Sequence, residues 1–350
     1  MRVVDGAARP QVVAAPVASA QGLQSIERRD VALLRLPKRS MRPRSTRPRP
    51  PAGSSRQIQL VDGRELGYDE IGDPSGIPVF FFHGFGSSRV VRHPDDSIAA
   101  GLGIRIIAVD RPGIGLSTGL PGRRLLDWPS DVRQLADELG LARFGIVAWS
   151  GGGPYALACA WSMPERVSVV GLISAAAPLT GVRDPDYTYR THRMATRAAD
   201  YAPWMIRIAM WRWARGQRTD PERNLDEAIE SMVEADRAVL EDPALRAVML
   251  ANAIELYRQG GRGLYDEALV MARPWGFPLE GISVPVCLWH GEADITVPVG
   301  MGRHIARTIP GCHATFYPGE AHHLLYDRWR DILTEVAATA RAGEARLAPV

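Results

Sequence analysis

Between Phe144 and Pro154 the chain changes its structural period at a single serine. Phe144-Gly145-Ile146-Val147-Ala148-Trp149 is an apolar run of strand length, Ser150 follows it, and Gly151-Gly152-Gly153-Pro154 opens the helical run from Tyr155 to Trp161. A serine on a tight strand-to-helix turn needs small neighbours: the backbone there tolerates little side-chain bulk, and a substrate must reach Oγ from outside. The helix start near Gly152 aims unpaired N–H groups and the positive end of its dipole at the serine, where an oxyanion would form. Such a nucleophile elbow usually reads Gly-x-Ser-x-Gly. Here Ala148 stands for the first glycine, the mildest replacement, which keeps the site open but slightly more crowded.

The same alternation of strand and helix runs along most of the chain. Gln57–Leu60 and Glu65–Glu70, joined through Asp62-Gly63, read as a hairpin. Val79–Phe82, Ile104–Val109, Phe144–Ala148, Val167–Ile173, Val284–Trp289 and Ala314–Tyr317 are short apolar runs of the kind buried parallel strands require. The amphipathic stretch Asp131–Leu139 lies between two of them. Strands alternating with helices predict a mostly parallel sheet covered by helices on both faces. At 350 residues and 46% hydrophobic content the chain can bury a large core. No run approaches the roughly 18 apolar residues of a membrane helix, so an integral membrane role is disfavoured.

Two segments break the rhythm. Residues 1–55 are rich in Ala, Pro and Arg without sustained periodicity, and predict a disordered basic tail. Ala18-Ser19-Ala20 resembles a signal-cleavage site, but the apolar run before it is short and interrupted by Pro16; a solvated linker, or translation starting at Met41, is the preferred reading. The tail also hides the charge of the body. Of the net +3, the first 56 residues contribute +9, which leaves −6 from Gln57 onward and argues against nucleic-acid binding by the folded part.

The second segment, 179–278, predicts a helical cap on a core formed by 56–178 and 279–342, placed over the strand ends where open α/β sheets bind ligands. It contains an acidic helix around Leu225–Leu240 and a concentration of large apolar residues: Met194, Trp204, Met205, Ile206, Ile208, Met210, Trp211 and Trp213. These could face an apolar substrate, or bury the cap against the body; the second is the expectation. Cys159, Cys287 and Cys312 form no disulfide framework and suit a reducing, cytoplasmic compartment.

A serine nucleophile needs a base oriented by a carboxylate. Of eight histidines, His322 and His323 follow the last strand run and precede the last helix; His322 is the expected base and His323 the fallback. Asp294, in the turn after the preceding strand, is the expected carboxylate, ahead of Glu292. For the oxyanion hole the Gly151 amide needs a second N–H, and Phe82-His83-Gly84-Phe85 offers that of Phe85, with His83 fixing the loop. Asp110-Arg111-Pro112-Gly113-Ile114-Gly115-Leu116-Ser117 reads as a rim loop, because a lone glycine pair is no phosphate fingerprint. His93, His192, His290, His304 and His313 have no metal-ligand spacing, so neither metal nor cofactor is expected.

These motifs, in the order His83-Gly84-Phe85-Gly86, Asp110–Gly115, Trp149–Pro154, His290–Asp294 and Gly319-Glu320-Ala321-His322, resemble the α/β-hydrolase superfamily from about Gln57 to Ala340. Ala148 and Ala321 replace glycines common in that pattern. The resemblance implies a Ser150–Asp294–His322 triad with Phe85 and Gly151 as the oxyanion hole. Haloalkane dehalogenases and most epoxide hydrolases of this fold carry an aspartate at the elbow, which Ser150 argues against. The implied chemistry is an acyl-enzyme route on a small or medium apolar ester. Thioester, lactone, peroxy-acid and carbon–carbon substrates are alternatives, and a non-catalytic ligand-binding protein is the alternative of another class. The tail could separately tether the protein to nucleic acid or an anionic membrane.

Overall fold

The structure, a computed structural model, describes residues 55–180 and 190–347. The expected tail, apart from Ser55, and residues 181–189 of the expected cap lie outside the described residues.

The strands are β1 (Arg56–Gln59), β2 (Glu65–Gly72), β3 (Ile77–Phe82), β4 (Ile104–Val109), β5 (Phe144–Trp149), β6 (Val167–Ile173), β7 (Val286–Gly291) and β8 (His313–Tyr317). They form one sheet in the order β1-β2-β4-β3-β5-β6-β7-β8, antiparallel at β1/β2 and β2/β4 and parallel elsewhere. The β1–β2 hairpin turns through Gly63 at φ 85°, a conformation that favours glycine and explains the Asp-Gly sequence.

Helices α1 (Ser97–Gly101), α2 (Trp128–Glu138) and α3 (Gly153–Ser162) lie in the first half of the chain. Then come α4 (Arg190–Tyr201), α5 (Pro203–Thr219), α6 (Pro221–Glu230), α7 (Glu234–Val239), α8 (Pro243–Leu256) and α9 (Arg262–Ala272), followed by α10 (Val299–Thr308) and α11 (Trp329–Leu347). The two-residue period of the strands sorts their side chains between two cores. Phe80, Phe82, Ile146 and Ala148 join a cluster with α2, α3 and α10, whereas Val79, Phe81, Val147 and Trp149 join one with α1 and α11. Each large apolar side chain fully buried in this way contributes about 1.5–3 kcal/mol.

Chain order and sheet order part company at β3. Its successor β4 lies on one side and β5 on the other, so the loops leaving β3 and β5 diverge and open a crevice at the carboxyl ends of the strands. The register Phe82↔Ala148 sets His83-Gly84-Phe85 and Trp149-Ser150 side by side in that crevice.

Three readings of the sequence change. The segment Asp110–Ser117 is interior rather than rim: Arg111 is fully buried and paired with Glu267 of α9 (Nε to Oε1, 2.7 Å), and it donates to the carbonyls of His83 (2.6 Å) and Gly84 (2.8 Å). Asp110 accepts from the backbone N–H groups of Arg89 (2.8 Å) and Leu116 (2.9 Å), which folds the loop inward. The single acidic helix around Leu225–Leu240 is two, α6 and α7, because Val233 between them is extended (φ −67°, ψ 157°). Finally, Met194, Trp204, Met205, Ile208 and Trp211 are exposed rather than packed against the body, and Trp213, although its ring reaches Gly86, is still 40% exposed. The inward face of α5 is instead narrow, formed by Ala214 with Met210 beside Leu256, Tyr257 and Leu264.

Candidate active site

Ser150 follows β5 directly and lies in the left-handed region, with φ 55°. Among the described non-glycine residues only Ser174 (φ 44°) shares it, and such a conformation persists only where the surroundings enforce it. They do so here by close packing. A side chain at Gly152 would stand 2.3 Å from the Phe82 carbonyl oxygen, and one at Gly153 would stand 2.7 Å from the Ala175 Cβ. The Ser150 carbonyl accepts from the Ala176 N–H at 3.1 Å, which ties the elbow to the segment that follows β6. Ala148 is ordinary extended strand, so the missing elbow glycine needs no special backbone.

Gly151 is the tightest of these glycines in its bearing on chemistry. A Cβ there would sit 2.7 Å from the Phe85 nitrogen, so the Phe85 and Gly151 backbones meet with room only for hydrogen. The Phe85 loop is held by His83, whose Nδ1–H donates to the Gly84 carbonyl at 2.9 Å while its Nε2 faces the Arg111 N–H at 3.5 Å. Burial, aided by the Arg111 charge, pushes the His83 imidazole well below its ordinary pKa, which keeps it neutral in this role.

His322 and Asp294 come together as a buried pair, Nδ1 to Oδ2 at 2.8 Å. The other oxygen of Asp294 accepts from the N–H groups of Thr296 and Val297, both at 2.8 Å, which fixes the carboxylate plane. Glu292 is exposed and bonded to Arg303 at 2.7 Å, away from this pair. His322 is held from the Ser150 side as well: the Trp149 indole N–H donates to its carbonyl at 3.0 Å, and the two rings lie 5.2 Å apart. Burial disfavours the His322 imidazolium, but Asp294, by charge and hydrogen bond, outweighs it and raises the pKa above the ordinary value. Burial alone would likewise raise the Asp294 carboxyl; His322 and His290 reverse the sign and hold it well below the usual carboxylate range.

His323 points elsewhere. Its backbone N–H donates to Asp236 of α7 at 2.8 Å, and its Nδ1 lies 3.1 Å from the same oxygen, off the hydrogen-bond direction. Sequence reasoning did not find Asp236, and it named His290 as the start of the His290–Asp294 motif without giving it a role. His290 sits behind Asp294 (Nε2 to Oδ2, 3.5 Å) and bonds the Val297 carbonyl at 2.9 Å; the signal available was its place at the end of a buried strand. Asp236 carried no signal, because its partner lies 87 residues away. Among the described residues no group of three or more His, Cys, Asp or Glu could hold a metal ion.

The helices between β6 and β7 reach the same crevice. Trp213 of α5 stands over Gly86, where an added Cβ would meet its ring at 3.1 Å. Ser88 bonds Asn252 of α8 at 2.9 Å, and the Phe85 side chain packs with Ile114, Ala214 and Leu256.

A switch-point serine elbow on a sheet of this topology, beside a buried imidazole–carboxylate pair, defines the α/β-hydrolase class. Residues 77–328 match the family model described as alpha/beta hydrolase fold, and the chain belongs to that family of hydrolases. It is 32% identical over 255 residues to the dihydrolipoyllysine-residue acetyltransferase component of the acetoin cleaving system of Pseudomonas putida, a match spanning 72% of this chain and 61% of that protein. It is 25% identical over 271 residues to a pimeloyl-acyl-carrier protein methyl ester esterase of Chromobacterium violaceum, covering 75% and 93% of the two chains. The solved esterase of Exiguobacterium antarcticum superposes with a TM-score of 0.61 at 21% identity, over 81% of this chain and 98% of that one. None of the helices among the described residues is long and apolar enough to cross a membrane.

Proposed function

We propose that the protein is a serine hydrolase that cleaves an ester of a small or medium apolar compound through an acyl-enzyme. The observation that carries this reading is the buried Asp294–His322 pair, with the His322 carbonyl accepting from the indole N–H of Trp149, the residue that precedes a strained, switch-point serine. Ser150 Oγ attacks the acyl carbon as His322 takes its proton, and Asp294 stabilises the imidazolium that forms. The tetrahedral oxyanion rests on the amides of Phe85 and Gly151; His322 returns the proton to the leaving alcohol and then activates water to release the acid. Residues 179–278 act as a cap on a core of residues 56–178 and 279–342, and the free thiols Cys159, Cys287 and Cys312 suit a reducing cytoplasm.

The methyl ester esterase among the relatives favours an ester over a thioester, lactone, peroxy-acid or carbon–carbon bond. A fluorophosphonate probe should label Ser150, with labelling abolished in Ser150→Ala and reduced in His322→Ala, alongside turnover of p-nitrophenyl acetate. A folded protein that shows neither labelling nor turnover would be a ligand-binding member of the family instead.

A further inference from the structure

The exposed face of α5 is ordered, and its order speaks to what it touches. Trp204, Ile208 and Trp211 follow one another at i, i+4 and i+7, and are 62%, 50% and 59% exposed. Met205 flanks them, and Met194 and Tyr201 of α4 add further exposed bulk. The same line of the helix then continues as Arg215 and Arg218, with Arg212 beside them. The Arg215 guanidinium lies 6.0 Å from the Trp211 ring centre. Across its 17 residues α5 carries four arginines and no acid. Against it, between α5 and α9, runs a groove of about 380 Å³ lined by Arg207, Ile208, Trp211, Gly261, Arg262 and Tyr265.

Large apolar side chains grouped on a surface mark an interaction site more often than scattered ones do. The charge decides the partner. A second copy meeting this face symmetrically would crowd the arginines of both α5 helices into one interface with no α5 carboxylate to offset them. An anionic bilayer is complementary to both parts of the face: tryptophan, methionine and isoleucine suit the headgroup–acyl boundary, and arginines reach the phosphates above it. Because the chain from Gln57 onward is net −6, this basic face would also orient the approach.

We propose that the outer face of α4 and α5 docks on an anionic phospholipid surface. Docking brings the helical insertion to the membrane, and it does not depend on the chemistry at Ser150. The test uses the full chain with phosphatidylcholine vesicles, with and without phosphatidylglycerol, in sedimentation and tryptophan-emission assays. Two variants at exposed positions, Trp204→Ser with Trp211→Ser and Arg215→Gln with Arg218→Gln, are checked for native circular dichroism and melting. The wild type is expected to sediment, with blue-shifted emission, only with phosphatidylglycerol, and less so as salt rises. The arginine variant should bind about fivefold more weakly for each charge removed, and the tryptophan variant should lose the emission shift. Undiminished binding by both variants would assign the attachment to the basic N-terminal residues and overturn the proposal. So would failure of the wild type to bind, or a wild-type dimer that the tryptophan variant abolishes.

Discussion

Gly151 and Phe85 approach so closely that a single methyl group would not fit between them. Gly151→Ala would place its Cβ 2.7 Å from the Phe85 nitrogen, and since that nitrogen belongs to the main chain and a Cβ is fixed by its own backbone, the loop must move. The expected result is a kcat lower by about 10²–10³, the loss typical of one oxyanion donor, with KM little changed; steady-state ester kinetics would read it. His322 makes a second prediction. As a base it must be neutral, and its pKa is raised, so activity should fall as pH drops through a midpoint above the ordinary histidine value of about 6.5. Asp294→Asn removes the charge that raises it. The midpoint in a kcat/KM profile should then move to lower pH, and the rate should fall by about 10⁴. An unmoved midpoint would mean that another group titrates. At this scale most of the candidate site was legible, since Ser150, Asp294, His322 and Phe85 each lie in a short motif at a strand end. The role of His290 was not, because its motif does not say which way the ring turns, and Asp236 was not, because it stands in no motif.

The element scale is where the insertion is fastened to the sheet. Arg111, at the end of β4, reaches Glu267 of α9; Arg89 bridges Asp69 (2.9 Å) and Asp110 (2.6 Å) with Glu255 of α8 (2.6 Å). These groups are buried, so removal of one partner strands a charge in the interior. Glu267→Ala should lower the unfolding free energy by about 3–5 kcal/mol, read as a shift in the urea midpoint. A loss of under about 1 kcal/mol would put the pair in the class of exposed ion pairs. The strands and their order of appearance were readable, because a buried parallel strand needs a continuous apolar run. The division of α6 from α7 and the outward turn of α5 were not. Apolar content has no direction until the phase of a helix is fixed by what it packs on, here Ala214 against Gly261, where an added Cβ would lie 2.9 Å from the Ala214 Cβ.

At the scale of the whole molecule, every strand among the described residues and every candidate catalytic group comes from residue 56 onward. A chain beginning at Ala52 should therefore keep the melting temperature and ester kinetics of the full chain. A loss of either would show that the preceding residues support the fold. The sequence by itself determined an alternating α/β chain, a serine at a strand-to-helix turn, and an Asp and a His at later strand ends, because these depend on local period and turn chemistry. The tertiary structure alone decided which histidine meets Asp294, which segment lies buried beneath the insertion, and which aromatic side chains remain outside. Each of those is a contact between residues far apart in the chain, set by sheet order and helix phase rather than by any local pattern.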